Sequence, residues 1–291
     1  DTHQESIIHP GTPIFSSNLA LAQEHGKSGM DFLLASIVGY DITLKIGRTH
    51  GPSIHRKGFH PTATTNIFGC TAAGGKLLNL NADVIQNAMG LNVSQIAGSQ
   101  QFLDNGSWNK RLHTGLTPHN SILSLVMAQS GYLGATNPIE GKFGYLKLYA
   151  NDEITDFSIF DTYGTDFEVM NTAVKPYPCC RFSHATIDAV LDITQDNDIN
   201  HNDISKIDIT MGKTGYDMVG YSADFPKNTV EAQFSVYFAA AVSALKGEYL
   251  WDSYQLIGDE TLQTVMGKVN VRQKTFQHEM QSHISISTVD G

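Results

Sequence analysis

The stretch SGMDFLLASIV, residues 28–38, carries the signals that decide the fold of the first half of the chain. Ser28 can cap a helix, and Asp31 three residues later can bond back to the cap, which is the pattern of a capping box. The apolar residues around it recur with helical spacing and would share one face: Met30, Leu33, Leu34, Ile37 and Val38. A helix is therefore predicted to begin here.

Further helices are predicted along the first half. One begins at Asn81, and another covers residues 121–129 and ends at Gly131. Between residues 64 and 78 a run of small side chains would let two helices approach closely. These small residues are Gly69, Cys70, Ala72, Ala73, Gly74 and Gly75. The pattern is typical of a helical bundle.

The second half changes character, because apolar residues there alternate with the period of a strand. The alternating segments are residues 206–211, 269–272 and 284–289. In the first of them, Ile207, Ile209 and Met211 share one side. Helical runs separate the segments, one after Ser183 and one over residues 230–245.

The predicted fold class is mainly α with an α+β part. We expect an all-helical domain over residues 1–154 and an α+β domain over residues 155–291. No repeat of solenoid length is visible.

Composition excludes several classes of partner. The 291 residues include 19 Lys and Arg against 29 Asp and Glu, which gives a net charge of −10 with no basic stripe. Without a basic stripe, we expect no nucleic-acid partner. No run approaches the ~18 apolar residues of a membrane helix, so we expect no membrane partner either. Only 16% of residues are charged, which favours a surface partly covered by a second subunit or by further chain. Three cysteines, two of them adjacent, indicate a reducing compartment, and the cytoplasm (the mitochondrion in a eukaryote) is expected.

Common cofactor and metal motifs fail. Residues 69–76 resemble a phosphate loop but have Gly75 where the lysine is needed, and no dinucleotide, zinc-protease or nucleophile-elbow motif occurs. His50, His55 and His60 are five residues apart, which scatters them around a helix axis, and neighbouring prolines favour a loop. Neither a metal nor an organic cofactor is expected.

A group of cations and imidazoles lies in the segment DNGSWNKRLH, residues 104–113. Lys110, Arg111 and His113 fall within four residues of one another. Such cations would hold a carboxylate in a cleft, where an unpaired carboxylate is costly. A solvated basic helix end explains the same residues.

The segment KPYPCCRFSH, residues 175–184, leads into a predicted helix. We expect Ser183 to cap that helix and His184 to lie in its first turn, where the helix dipole keeps the imidazole neutral and able to accept a proton. A first-turn histidine bonded to water is the alternative. Cys179 and Cys180 are interpreted as packing residues. His60, between Phe59 and Pro61, fits catalysis or a packed loop histidine bonded to a backbone carbonyl.

These motifs occur in a fixed order along the chain. The order is Asp1-Thr2-His3 with His9-Pro10, Ser28-Gly29 with Gly39-Tyr40, Gly58-Phe59-His60-Pro61-Thr62, GSWNKRLH at 106–113, Glu140-Gly141, Lys175-Pro176-Tyr177-Pro178 and Gln233-Phe234-Ser235. Taken together they resemble the MmgE/PrpD family, which contains 2-methylcitrate dehydratases, cis-aconitate decarboxylases and iminodisuccinate epimerases. The resemblance implies a large all-helical domain, a smaller α+β lid domain with the active site between them, a homodimer, and members longer than this chain.

The resemblance also implies which residues act. The catalytic positions are Asp1, His9, His60, Lys110 and His184. The substrate-binding positions are Lys110, Arg111, Lys175, Arg181 and Tyr237. Tyr237 departs from the family pattern. The family's Q-F-S-x-x-Y stretch places its tyrosine where this chain has Phe238, one residue after Tyr237.

The reactions of the family share one physical demand. Dehydration, decarboxylation and epimerisation of small carboxylates all develop negative charge beside a carboxylate, which Lys and Arg stabilise while His or Asp moves a proton. The expected substrate is a small di- or tricarboxylate. We expect a hydro-lyase resembling 2-methylcitrate dehydratase, with a role in propionate metabolism; the alternatives are a decarboxylase, an epimerase, or a non-catalytic carboxylate-binding or assembly protein.

Overall fold

The computed structural model describes residues 1–150 and 157–290. The chain divides into two compact units, Asp1–Val174 (unit 1) and Lys175–Gly291 (unit 2). The domain boundary expected after residue 154 lies outside the described residues. Within the described ranges, no helix combines the length and the apolar character needed to cross a membrane.

Unit 1 is almost entirely helical. Its helices are α1 (Gly11–Glu24), α2 (Gly29–His50), α3 (Ser53–Arg56), α4 (Pro61–Leu77), α5 (Ala82–Asn92), α6 (Asn109–Gln129) and α7 (Tyr145–Tyr149). Short 3-10 segments cover Val93–Gln95, Gln100–Asp104, Ser158–Thr162 and Glu168–Asn171. The strands β1 (Thr2–His3) and β2 (Thr172–Ala173) pair antiparallel.

The predicted capping box at the start of α2 is confirmed. The Ser28 hydroxyl oxygen accepts from the Asp31 backbone N–H at 3.1 Å, and the Asp31 carboxylate accepts from the Ser28 N–H at 3.0 Å. The predicted apolar face is largely exposed, with Met30 at 64% and Leu33 at 54%. The helix instead packs through its opposite side, which includes Gly39.

Small residues allow α2 and α4 to cross closely, as predicted. A Cβ added to Gly69 would overlap the Thr43 hydroxyl and lie 2.5 Å from the Gly39 carbonyl oxygen. A Cβ on Gly39 would lie 3.0 Å from the Cβ of Ala73. The two backbones therefore touch at glycine, and the exposed apolar side of α2 plays no part in this contact.

We expect Gly69→Ala to destabilise unit 1 by about 1–3 kcal/mol, because the added methyl meets α2 at close range. The matched control is Gly115→Ala, inside α6, where an added Cβ meets nothing within 4 Å. That change should be neutral or stabilise by up to ~1 kcal/mol. Urea unfolding, monitored by hydrogen exchange of peptides from α2, measures the stability of both variants. Equal stability of the two variants would contradict the close crossing.

Unit 2 packs helices against a three-stranded sheet. Its helices are α8 (His184–Asp196), α9 (Lys213–Gly215), α10 (Thr229–Gln233), α11 (Val236–Lys246) and α12 (Glu260–Met266), with 3-10 segments Arg181–Ser183 and Trp251–Leu256 and a π-helical turn Tyr216–Gly220. Its strands are β3 (Ile204–Met211), β4 (Val269–Gln273) and β5 (Ser282–Thr288). The prediction of a mainly α fold with an α+β part is confirmed.

The central strand β3 is parallel to β4 and antiparallel to β5. Its residues Ile207, Ile209 and Met211 are at most 1% exposed, so the predicted apolar side faces the core. The predicted helix over 230–245 is two helices, because Ser235 interrupts it and caps α11 by accepting from the Phe238 N–H at 3.2 Å.

Candidate active site

The N-terminal residue of unit 1 holds the start of α1. One carboxylate oxygen of Asp1 accepts from the Gly11 N–H at 2.8 Å and from the Tyr40 hydroxyl at 3.0 Å. Pro10 precedes this helix and supplies no side-chain cap, so the carboxylate takes that role. Burial raises the pKa of Tyr40 to about 12, which keeps its hydroxyl a donor. Asp1 therefore has a structural function in addition to any catalytic one.

The ring of His9 has a defined tautomer. Its Nδ1 lies 2.7 Å from the Asp1 carbonyl oxygen, which can only accept, so Nδ1 carries a hydrogen and donates it to that carbonyl. The His9 backbone N–H donates to the Thr62 hydroxyl at 3.0 Å. Thr62 lies in the first turn of α4, two residues after His60. The N-terminal segment and the start of α4 are thereby joined.

His60 stands at the beginning of α4 with Pro61 as the first helical residue. Its backbone N–H donates to the Gly98 carbonyl at 2.9 Å, and its ring Nδ1 lies 3.1 Å from Nδ1 of His113. The ring partner is thus a second imidazole, not the backbone carbonyl that a packed loop histidine would use. Nε2 of His60 is buried and has no hydrogen-bond partner within residues 1–150 and 157–290.

The electrostatic surroundings keep these imidazoles neutral. Burial lowers the pKa of His60 well below 6.5, and Lys110, His113 and His55 add to the effect. Burial also lowers the pKa of His113, and it lowers that of His55 to about 4 with help from Lys110. Lys110 is partly buried on α6, three residues before His113, whose ring contacts that of His60. Unit 1 brings a cation and a neutral imidazole together.

Arg111, the other cation of residues 104–113, lies at the protein surface. It is exposed, and its guanidinium lies 5.5 Å from the centre of the Trp108 ring. Although Arg111 is next to Lys110 in the sequence, it therefore makes a cation–π contact with Trp108 at the protein surface.

In unit 2 the segment at residues 175–184 is held by Gln233. The Gln233 carbonyl accepts from the Cys180 N–H at 2.9 Å, and its side-chain amide donates to the Pro178 carbonyl at 3.2 Å. Lys175 donates from Nζ to the Cys179 carbonyl at 3.2 Å, and burial lowers its pKa. The Q-F-S motif therefore has a visible function in anchoring this segment.

His184 is the first residue of α8, as predicted, and is 1% exposed. Burial lowers its pKa to about 4, and Arg181 and Lys175 contribute further, so both cations lie near this ring. The Tyr177 ring contacts it edge-on with centroids 5.2 Å apart. Unit 2 thus contains a second pairing of cations with a neutral imidazole.

Ser183 occupies the N-cap position of α8, as predicted, but the expected side-chain cap is wrong. Ser183 closes the 3-10 turn Arg181–Ser183 with φ −86° and ψ −14°, and its side chain caps no N–H of α8. A capping serine needs extended backbone to direct its oxygen at the second or third amide, and a helical ψ turns it away.

Tyr237 and the cysteines lie in the packed interior of unit 2. The Tyr237 hydroxyl donates to the Gly220 carbonyl at 3.4 Å, and burial raises its pKa. Phe238 is fully buried and stacks on Tyr254 with centroids 6.1 Å apart. Burial raises the pKa of the free Cys179 thiol, which agrees with a packing role.

Metal ligands do not cluster within the described ranges, where no group of three or more His, Cys, Asp or Glu could hold an ion. The ring of His50 is occupied, with Nδ1 2.7 Å from the Gly51 carbonyl and Nε2 3.2 Å from the Thr65 hydroxyl.

The contact of His113 with His60 was not expected from the sequence. Of residues 104–113, the resemblance assigns Lys110 and Arg111 to the site and leaves His113 out. The signal in the sequence is the spacing of three residues between Lys110 and His113. Once a helix is known to begin at Asn109, this spacing places both side chains on one face.

Both halves of the chain match domains of one protein family. Residues 1–158 match the MmgE/PrpD N-terminal domain and residues 177–290 match the MmgE/PrpD C-terminal domain. The chain is 25% identical over 274 residues to cis-aconitate decarboxylase of Aspergillus terreus, covering 88% of this chain and 55% of that protein. It is 22% identical over 276 residues to a cis-aconitate decarboxylase-like protein of Aspergillus oryzae, covering 88% and 57%. The chain spans little more than half the length of these relatives. With both domains matched in order, the chain belongs to the MmgE/PrpD family.

Proposed function

We propose that this protein is a lyase that acts on a small di- or tricarboxylate, with side chains as acid, base and carboxylate ligand. The observation that carries the proposal is the buried Nε2 of His60, which has no hydrogen-bond partner within residues 1–150 and 157–290, while Nδ1 of the same ring contacts His113 on the helix that carries Lys110. A neutral imidazole accepts a proton, and an ammonium group stabilises the anion that forms beside a carboxylate.

The substrate's own charge completes this site. Lys110 and burial hold His60 neutral in the free protein. A carboxylate bound to Lys110 offsets that cation, so a proton on His60 becomes less costly when substrate is present. In decarboxylation the carbon–carbon bond to the leaving carboxylate breaks, its electron pair stays on carbon, and a protonated side chain delivers a proton there.

Decarboxylation of cis-aconitate is the first candidate, because the two relatives named above carry that activity in their names. Dehydration of 2-methylcitrate remains the second. It needs one base and one acid, and unit 1 supplies two imidazoles in His9 and His60, with the tautomer of His9 fixed by Asp1.

We extend the proposal to the second cation–imidazole group. Lys175 would hold a carboxylate and His184 would move a proton, since burial and nearby cations keep that ring neutral.

The test is to incubate the protein separately with cis-aconitate, 2-methylcitrate and iminodisuccinate and to follow each by NMR. Loss of carbon dioxide from cis-aconitate supports the first candidate, and loss of water from 2-methylcitrate supports the second. Binding of any of the three acids with no turnover contradicts the enzyme proposal and favours a carboxylate-binding protein.

Lys110→Met should lower kcat/KM by about 10–100-fold, with a higher KM as well as a lower kcat, because a charge-assisted hydrogen bond to the substrate is lost. The control is Lys76→Met, which also removes one positive charge but at the exposed C-terminal end of α4. Steady-state kinetics should show the control near wild type. Equal effects of the two changes would mean that general charge, and not a carboxylate contact, is responsible.

A further inference from the structure

The rings of His60 and His113 contact each other through their Nδ1 atoms. Their Nδ1 atoms lie 3.1 Å apart, and the ring centroids are 5.3 Å apart. Phe102 packs against both rings, at 5.8 Å and 6.1 Å between centroids. Two Nδ1 atoms at this distance can form a hydrogen bond only when one carries a hydrogen and the other does not. The two imidazoles therefore share one proton.

We propose that His60 and His113 form a proton-relay pair, with His113 as a positioning residue that fixes the tautomer of His60 and takes up the proton that His60 releases. The inference rests on the proposed function, because His60 is taken as the group that meets the substrate.

In the relay, Nε2 of His60 takes up one proton, and Nδ1 of His60 passes another to Nδ1 of His113. At rest His60 donates from Nδ1 to Nδ1 of His113, so Nε2 of His60 presents its lone pair to the substrate. When Nε2 takes a proton from the substrate, the Nδ1 proton of His60 passes to His113. His60 ends neutral, and His113, which already carries a hydrogen on Nε2, becomes the imidazolium. In decarboxylation the substrate gives up no proton, and the pair runs in reverse from its protonated form: the His113 imidazolium passes its Nδ1 proton to His60, and Nε2 of His60 delivers its proton to carbon.

The surroundings of the two rings favour this direction. His60 faces Lys110 and His113 from α6 and His55 from α3, and it is the more strongly disfavoured of the pair as a cation. Burial alone opposes a charge on His113. A proton that enters through His60 is therefore held better on His113.

Three variants on α6 test the relay. His113→Phe keeps a ring but removes the hydrogen bond, and we expect kcat to fall by about 10²-fold or more with little change in KM. His113→Asn keeps a hydrogen-bonding group beside His60 that cannot take up a proton. It should keep KM near wild type without recovering kcat, and the acid limb of the kcat/KM profile should move to lower pH, because only His60 remains to be protonated. The control is His119→Asn, an exposed histidine on the same helix, which should match wild type.

A second measurement does not depend on turnover. Nitrogen-15 NMR of the imidazoles, without substrate, should show His60 with its hydrogen on Nδ1 in the wild type, and should show a changed tautomer balance in His113→Phe. If no acid is turned over but NMR shows this tautomer, the proposed function fails and the His60–His113 pairing stands. If turnover is found and His113→Phe is as active as His119→Asn, or if NMR places the hydrogen of His60 on Nε2, the relay is overturned. Full recovery of kcat in His113→Asn overturns it as well.

Discussion

His60→Gln is expected to lower kcat by about 10²–10⁴-fold, the usual contribution of a positioned acid or base. Glutamine can place an amide near the position of Nε2 and can form hydrogen bonds there, but it cannot take up a proton. Because Lys110 remains to hold the carboxylate, KM should change much less than kcat. Steady-state kinetics with cis-aconitate, or with whichever acid the protein turns over, measures both constants.

A matched control is His50→Gln. His50 is also buried in unit 1, and burial lowers its pKa to about 4, but both of its ring nitrogens are engaged by Gly51 and Thr65. This change should reduce stability and leave kcat of the folded protein close to wild type. If His60→Gln and His50→Gln lose kcat equally, His60 has no chemical role beyond packing.

The pH dependence provides a further check on the same residue. Burial and Lys110 lower the pKa of His60, so the ring stays in its base form at pH values where a free imidazole, with a pKa of 6.5, is half protonated. If His60 acts as the base, as dehydration requires, the activity is therefore retained below pH 6.5 and lost only at more acid pH. A kcat/KM profile that falls with a midpoint at or above 6.5 would contradict this assignment.

Short-range signals in the sequence predicted much of the fold. The capping box at Ser28 and the alternation of β3 depend on residues close together in the chain, and both are confirmed. The start of α6 was missed, because Gly115 and Pro118 interrupt its helical pattern, and only residues 121–129 were recognised. Proline removes a backbone donor, but the surrounding helix tolerates it here.

Amphipathic spacing identified the shared face of α2 but not the side that packs. Met30 and Leu33 recur as predicted and remain exposed, whereas the buried side carries Gly39 against Gly69. Close helix contact depends on the absence of side chains, and hydrophobic periodicity gives no weight to glycine. The packing side could be recognised only with both helices in view.

The candidate site was predicted as a set of residues and not as an arrangement. His60 and His113 are 53 positions apart, and their hydrogen bond depends on how α4 and α6 pack. His184 was expected to be neutral because of the helix dipole, but burial is the leading cause of its lowered pKa. The burial of a residue depends on tertiary packing, so local sequence could give the direction of that shift but not its main cause.

The second large effect is expected at a buried ion pair within α2. Lys45 is fully buried, and its Nζ donates to the Asp41 carboxylate at 2.9 Å and to the Asp166 carbonyl at 2.8 Å. The other carboxylate oxygen of Asp41 accepts from the Glu168 N–H at 3.0 Å. The pair therefore ties the chain around residues 166–168 to α2.

Asp41→Asn should destabilise unit 1 by about 3–5 kcal/mol, because it leaves the Lys45 ammonium group buried without an opposite charge. The matched control is Asp217→Asn in unit 2, which also breaks a pair with a lysine four residues away, Lys213. Both of those side chains are more than half exposed, so the loss should be only about 0–1 kcal/mol.

Thiol labelling in increasing urea can separate the two units, because Cys70 is fully buried in unit 1 and Cys179 is buried in unit 2. Asp41→Asn should expose Cys70 at lower urea and leave the labelling of Cys179 unchanged. Adding Lys45→Met should recover most of the loss, since removing both charges relieves the penalty of burying one alone. If the double variant is as unstable as Asp41→Asn, the loss arises from weakened hydrogen bonds to Asp166 and Glu168, and the buried charge of Lys45 is not its cause.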